Sequence, residues 1–345
     1  MSYKAWIPIL SKILDENNEI TIRHANSRGN PNEARRNVGG KTRYERRRIL
    51  FKAFHDLWKL GFKIADPHNF DMRHFTALCK QWEDEGLSAS QIQSNVSACR
   101  ALCAWIKKYG MIKETQRYFS KASLVKRSYT TTEDKTWTGS GIDVMAKIEE
   151  IYATEPRVGM SMELQLVFGL RVKESILLKP HVADLQQMLA VNWGTKGKRP
   201  RVTPVDEDIQ KEVLDRAKAL VTDQKASLVP PGYTFLKWKQ HYYYVCKKHG
   251  LTRKGLAITS HGLRHEFINA KHEKLSGVKS PLKGGGLTEE FTREQQKMLQ
   301  LKLSEMIGHS RPQIMNAYTS SISAMDKKRR AESMATPEEI FKSNK

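Results

Sequence analysis

Six side chains in the C-terminal half of the sequence have the chemistry to move a phosphoryl group: Arg171, Lys196, His261, Arg264, His309 and Tyr318. Two guanidiniums can grip the oxygens of one phosphodiester bidentately. A phenol can attack phosphorus and hold a covalent intermediate. A lysine or an imidazole can pass a proton to the departing sugar oxygen. No acidic cluster accompanies them, so the set implies neither a metal nor a cofactor. Taken singly, each has a plainer reading. Arg171 and Glu174, three apart on a helix, read as a surface ion pair. His261 reads as a helix-start residue with a structural hydrogen bond, and Tyr318 as a half-buried packing residue. The ordered combination carries the weight, and it points to phosphoryl transfer on nucleic acid.

Those groups need a scaffold that brings distant parts of the chain together. Arg171 and Glu174 sit in Gly169-Leu-Arg-Val-Lys-Glu-Ser175, directly after the apolar run 162–170. Met188 to Val205 reads as two strands joined by a Gly-Lys turn, which puts Lys196 at a hairpin tip able to reach a DNA groove. His261 and Arg264 fall on one side of a helical turn. A helix ending at Gly308 delivers His309, and Tyr318 follows nine residues later.

Upstream, residues 42–110 read as a small helical bundle. Phe51, Phe54, Leu57 and Trp58 recur at helical spacing before Gly61, a C-cap. A second helix runs from Asp71 to Gly86, and Ser88 with Gln91 opens a third as a capping box. The basic residues Arg43, Arg46 and Arg47, with Lys198, Arg199 and Arg201 of the hairpin, are the expected DNA-binding set. The predicted fold is mostly α, a helical bundle with basic helix ends followed by a mainly α domain with one small antiparallel β-hairpin. The expected boundaries are an N-terminal extension over 1–40, a helical domain over 41–120 and a linker over 121–141. A catalytic domain over 142–320 and a tail over 321–345 follow. The extension carries a polar, Gly- and Asn-rich arm after a short amphipathic helix with Trp6, Ile9, Leu10 and Ile13 on one face. The Ser-, Thr- and Gly-rich stretch 119–141 reads as an exposed, extended connection.

Composition narrows the class. Of 345 residues, 39% are hydrophobic and 28% charged, ordinary for a folded soluble protein. The net charge of +22, with pI near 9.8, calls for a polyanionic partner, and nucleic acid fits it best. Charge alone leaves open a ribosome-associated or generally basic protein. No apolar run is long enough to span a bilayer and the N-terminus lacks a signal-peptide pattern, so a cytoplasmic location and no membrane partner are expected. Cys79, Cys99, Cys103 and Cys246 form no CxxC pair, and Cys99 with Cys103 can face a core on one helix.

The ordered series resembles the tyrosine recombinase (phage integrase) family. The resemblance rests on Gly-Leu-Arg171 with Glu174, on Lys196-Gly-Lys-Arg-Pro-Arg-Val-Thr-Pro204, on His261 with Arg264, on Gly308-His309 and on Tyr318. It covers about 165–320 by motif, and 42–110 is similar to the family's core-binding domain in arrangement. The stretch between Arg264 and His309 is longer than the family's, which implies a Gly-rich surface insertion at about 275–297. Ile307 stands where the family often has Leu.

The resemblance implies a site-specific recombinase or integrase that cuts and rejoins double-stranded DNA through a 3′-phosphotyrosyl intermediate. Integration or excision of a mobile element is the implied role. Tyr318 is then the nucleophile, and Arg171, Arg264 and His309 stabilise charge on the phosphate oxygens. Lys196 is the acid for the 5′-oxygen, His261 an acid–base or orienting group, and Glu174 positions Arg171 or His261. A homotetramer on two duplexes follows, with accessory DNA-bending proteins as further partners. The segment after Tyr318 would dock on a neighbouring subunit through Met325, Met334, Ile340 and Phe341. The competing readings are a type IB topoisomerase, a DNA-binding accessory factor that does not cut, and a basic RNA-binding structural protein.

Overall fold

The structure, a computed structural model, describes residues 4–19, 38–309 and 311–334, apart from the side chain of Lys198. All but the last residues of the Gly- and Asn-rich arm, and the anchors Ile340 and Phe341, lie outside the described residues. The chain divides into two compact units, Met1–Ser128 and Tyr129–Lys345.

The first unit holds α1 (Trp6–Asn17), α2 (Gly40–Lys59), α3 (Met72–Asp84) and α4 (Ala89–Trp105). Local chemistry sets their ends. Gly61, at φ +89°, stops α2 while the Phe62 N–H donates to Leu57 O at 2.9 Å. Asp71 caps α3 by accepting from the Arg73 N–H at 2.9 Å, and His74 Nδ1 accepts the Asp71 N–H in return. Ser88 and Gln91 make the expected box at α4. Trp6 and Leu10 of α1 meet Phe54 of α2, Phe75 of α3 and Val96 of α4 in one core. Cys79, Cys99 and Cys103 are buried there, and burial pushes the thiols of Cys79 and Cys103 up to about 12. They behave as small apolar side chains.

The second unit begins with α5 (Val144–Thr154), α6 (Pro156–Phe168), α7 (Val172–Leu177) and α8 (Pro180–Ala183). Strands β1 (Met188–Val191) and β2 (Arg201–Pro204) pair antiparallel, with Val191 opposite Arg201. Then come α9 (Asp208–Ala219), α10 (Phe235–Lys248), α11 (Gly262–Ser276), α12 (Arg293–Met306), the single turn α13 (Asn316–Thr319) and α14 (Ile322–Met334). Helix α6 is buried along most of its length and packs against α5, α9 and α11. The result is the expected mostly helical architecture with one small antiparallel sheet. No helix among the described residues is long and apolar enough to cross a membrane.

Two segments differ from expectation. The stretch read as an exposed, extended linker is exposed over much of its length but anchored at points: Val125 is buried, Thr136 and Trp137 are sealed from solvent, and Trp137 Nε1 donates to Thr259 O at 2.8 Å. Phe119, Leu124, Val125 and Trp137 reach a core while Tyr129 stays exposed, and the hydroxyls satisfy backbone groups that burial would otherwise strand. The insertion is likewise only partly a surface loop. Ser280, Pro281, Leu282 and Phe291 are buried, and residues from Arg293 already belong to α12.

Candidate active site

The end of α6 fixes the first arginine. Gly169 adopts φ +60°, and a Cβ there would lie 2.4 Å from the Phe267 ring, so only glycine fits the turn. Arg171 follows as the N-cap of α7. Glu174 folds back on it, accepting from the Arg171 N–H at 2.8 Å and from Nη1 at 2.6 Å. Its carboxylate is fully buried, so the pair is not the surface ion pair that spacing alone suggested. Arg201 of β2 donates to both carboxylate oxygens at 2.9 Å and through Nε to Met306 O at 3.2 Å. Burial alone would raise the Glu174 pKa, but the hydrogen bonds and charges of Arg201 and Arg171 outweigh it and hold the group at about 2. Arg201 therefore serves the interior. With its side chain 8% exposed and committed to Glu174 and Met306, it is not the DNA contact expected of a basic hairpin residue.

Helix α11 supplies the second arginine. Arg264 is sealed from solvent and donates to Gly169 O, to Ile307 O at 2.8 Å and through Nε to Tyr318 Oη at 3.3 Å. Burial, with Arg171 and Arg201 nearby, lowers its pKa to about 10, so the guanidinium stays charged at neutral pH. His261 occupies the N-cap position of α11, without a side-chain capping bond. Its ring reaches solvent, yet desolvation by surrounding protein and the cations Arg264, Arg171 and Lys135 hold its pKa at about 4. Gly308, at φ +71°, ends the turn after α12 and presents His309. The His309 Nε2 accepts from Arg171 Nη2 at 3.0 Å, since a guanidinium can only donate, which puts the neutral ring's proton on Nδ1. Desolvation, then Arg171, Arg264 and Lys196, bring the His309 pKa down to about 4.

Tyr318 lies inside this ring of cations and imidazoles. It is 6% exposed, with its ring centroid 6.0 Å from His261 and 6.5 Å from His309. Asn269 Nδ2 donates to its carbonyl at 3.3 Å, and Ser280 of the insertion fixes the Asn269 amide. Lys196 opens an exposed turn between β1 and β2, where Gly197 takes φ +72°. Four of the six sequence candidates thus gather around the fifth, the Tyr318 phenol, with Lys196 on the hairpin acting electrostatically on His309.

Two neighbours of the site, His265 and Asn269, escaped the sequence reading, and a third, Arg201, was read there as a DNA contact. His265 packs its ring 4.7 Å from that of Tyr318, and its buried Nδ1 has no hydrogen-bond partner among the described residues. Its position four residues after His261, on the same helical face, was the available signal. The inward turn of Arg201 shows in the alternation of β2, where Val202 is the exposed residue and Thr203 is buried. Nothing in sequence marked Asn269.

The other expected DNA-binding residues are differently placed. Arg43 pairs with Glu19, Arg47 with Asp15, and Arg46 lies 5.8 Å from the Trp105 ring centroid with its pKa lowered by burial. Arg199 is exposed on the hairpin turn. The side chain of Lys198 lies outside the described residues.

Residues 127–269 match the family profile described as Integrase, and residues 32–111 match that described as Phage integrase, N-terminal. The chain belongs to the tyrosine recombinase, or phage integrase, family. Among its relatives, tyrosine recombinase XerC of Xanthomonas axonopodis pv. citri (strain 306) is 28% identical over 213 residues. That match spans 59% of this chain and 66% of the relative, just under two thirds of its length. The fold is shared with solved recombinase structures. A lambda integrase dimer bound to a COC′ core site superposes with a TM-score of 0.55 at 16% identity, covering 91% of this chain and 95% of that one. The Tn1549 transposon integrase in complex with transposon right end DNA gives 0.52 at 14% identity, covering 86% and 95%. XerH site-specific recombinase bound to palindromic difH substrate, in a post-cleavage complex, gives 0.52 at 17% identity, covering 86% and 79%.

Proposed function

We propose that this tyrosine recombinase cuts and rejoins duplex DNA with Tyr318 as its nucleophile. The observation that carries the reading is the enclosure of one phenol by Arg264, within 3.3 Å, and by His261 and His309, with Arg171 bonded to His309. Tyr318 Oη attacks the scissile phosphorus and the bond to the 5′-oxygen breaks, leaving a 3′-phosphotyrosyl link. Neutral His261 accepts the phenol proton, which its low pKa permits at neutral pH. Arg171 and His309 Nδ1–H donate to the non-bridging oxygens and the Arg264 charge, one hydrogen bond from Tyr318 Oη, stabilises them from behind, where fixed groups cost no reorganisation during the reaction. Lys196, carried in on the hairpin turn, gives the 5′-oxygen its proton. Rejoining runs the same steps in reverse, so the phosphodiester energy is conserved.

The same reading extends to assembly and setting. Each chain offers one such tyrosine, while exchange of two duplexes needs four cuts, so four copies act together on DNA. Among the fold relatives, a lambda integrase tetramer bound to a Holliday junction supports that arrangement. Integration or excision of a mobile element, on DNA in the cytoplasm, is the role that fits.

A nicked suicide substrate, which loses a short strand on cleavage, tests the proposal. The wild-type protein should become covalently attached to DNA, and Tyr318→Phe should bind equally well without attaching. An adduct that persists in Tyr318→Phe would assign the nucleophile to another residue.

A further inference from the structure

Thr131 is the third residue of the second unit, and the chain on both sides of Tyr318 grips it. Its N–H donates to Asn316 O at 2.9 Å, and its carbonyl accepts the hydroxyl of Ser320. Tyr318 lies midway between those two partners. Ser320 is 1% exposed and sits at φ +62°, ψ −169°, a region that only glycine adopts without cost. A serine stays in such a conformation when its surroundings over-determine it, and the bond from Oγ to Thr131 O is the side-chain contact that does so. The same lead-in segment is anchored further along. Lys328 of α14 donates to Thr132 O at 3.1 Å, and Lys283 ties Asp134 at 2.7 Å and Thr136 at 2.8 Å.

We propose that Ser320 is a positioning residue for the nucleophile: its hydroxyl latches the lead-in segment at Thr131 and so holds the strained turn that aims Tyr318. The proposal rests on Tyr318 being the nucleophile. Helix α13 is a single turn, too short to keep its direction by its own hydrogen bonds. Its aim is set by what grips its ends. Release of the latch lets residue 320 relax, and the phenol two residues upstream swings with it.

The test compares full-length wild type, Ser320→Ala and Ser320→Gly on the nicked substrate, each also prepared with fluorotyrosine at position 318. Adduct formation should slow by about tenfold or more in both variants, since a small misplacement of a reacting atom is enough to cost that. Half-site binding and the pH profile should be unchanged, and the fluorine resonance of residue 318 should shift or split. Glycine relieves the strained backbone while removing the hydroxyl, so Ser320→Gly keeps the test decisive where alanine folds poorly. Wild-type rates with an unshifted resonance in Ser320→Gly overturn the latch. Loss of binding in step with cleavage overturns it too, by making Ser320 merely structural. A wild-type protein that forms no adduct, or a Tyr318→Phe variant that does, points instead to failure of the functional reading.

Discussion

Arg201 and Glu174 form a bidentate pair, 2.9 Å on each arm, and the same buried carboxylate holds Arg171 at 2.6 Å. One acid thereby fixes the guanidinium of Arg171 and fastens the strand that leads out of the Lys196 turn. The orientation of Arg171 and the seating of the hairpin are one mechanical property.

Removing Arg201 should therefore damage the fold before it damages DNA contact. Arg201→Ala leaves a buried carboxylate with half its compensation, which should cost about 3 kcal/mol in urea unfolding. Cleavage should fall at least about tenfold because Arg171 loses its mount. The slope of log affinity against log salt should stay as in wild type, since no phosphate partner is lost. Normal stability with a shallower slope would make Arg201 a DNA contact after all.

The acid limb of stability should carry the signature of Glu174. Its folded pKa is about 2 against an ordinary 4.5, so the unfolded chain binds a proton more readily. The pair's contribution is fully present above about pH 4.5 and is lost as pH falls towards 2, a change of roughly 3 kcal/mol. In Glu174→Gln that limb should flatten, as read from urea midpoints across the range. Parallel curves for the two proteins would refute the assignment.

The imidazole of His309 should be neutral in the free protein and titrate near 4, well below the usual 6.5. A depressed histidine stabilises the fold above its unfolded pKa and ceases to as pH falls through the folded one. A phosphate placed against it favours the protonated ring, so the midpoint should rise when Tyr318→Phe protein binds uncleaved DNA. NMR titration of the ring reads both values. A free-state midpoint close to 6.5 would contradict the packing around Arg171.

The two arginines should separate in their effects on stability. Arg264→Ala strands the carbonyls of Gly169 and Ile307 inside the protein and opens a hole, costing about 3 kcal/mol or more. Arg171 is 21% exposed at its side chain, so Arg171→Ala should cost distinctly less. Both variants should lose on the order of a hundredfold in adduct formation. Equal destabilisation by the two would mean that their burial has been misjudged.

Much of this was legible in the chain itself. The Ser88–Gln91 box, the Gly61 stop and the helical spacing of Phe51, Phe54 and Leu57 are local signals, and local signals survive folding. The hairpin and the nine-residue step from His309 to Tyr318 were visible for the same reason. What the sequence hid was the partner of each polar group. Arg201 reads as one more cation in a basic run until the pleat of β2 turns it inward onto Glu174. Trp137 sits in a polar stretch, and only the tertiary structure supplies the Thr259 carbonyl that its indole satisfies. Asn269 and Ser320 act through carbonyls of residues far away in sequence, and no periodicity announces such a pairing.

Gly308 carries a consequence for anyone rebuilding this site. A Cβ at that position would fall 2.8 Å from Arg201 Cδ, and the backbone already holds φ +71°. Any side chain there must displace the arginine that grips the carboxylate behind Arg171. Gly308, Arg201, Glu174 and Arg171 therefore travel as one cassette. A graft onto another scaffold, or a library that varies one of them while fixing the rest, should return dead clones until all four are moved together.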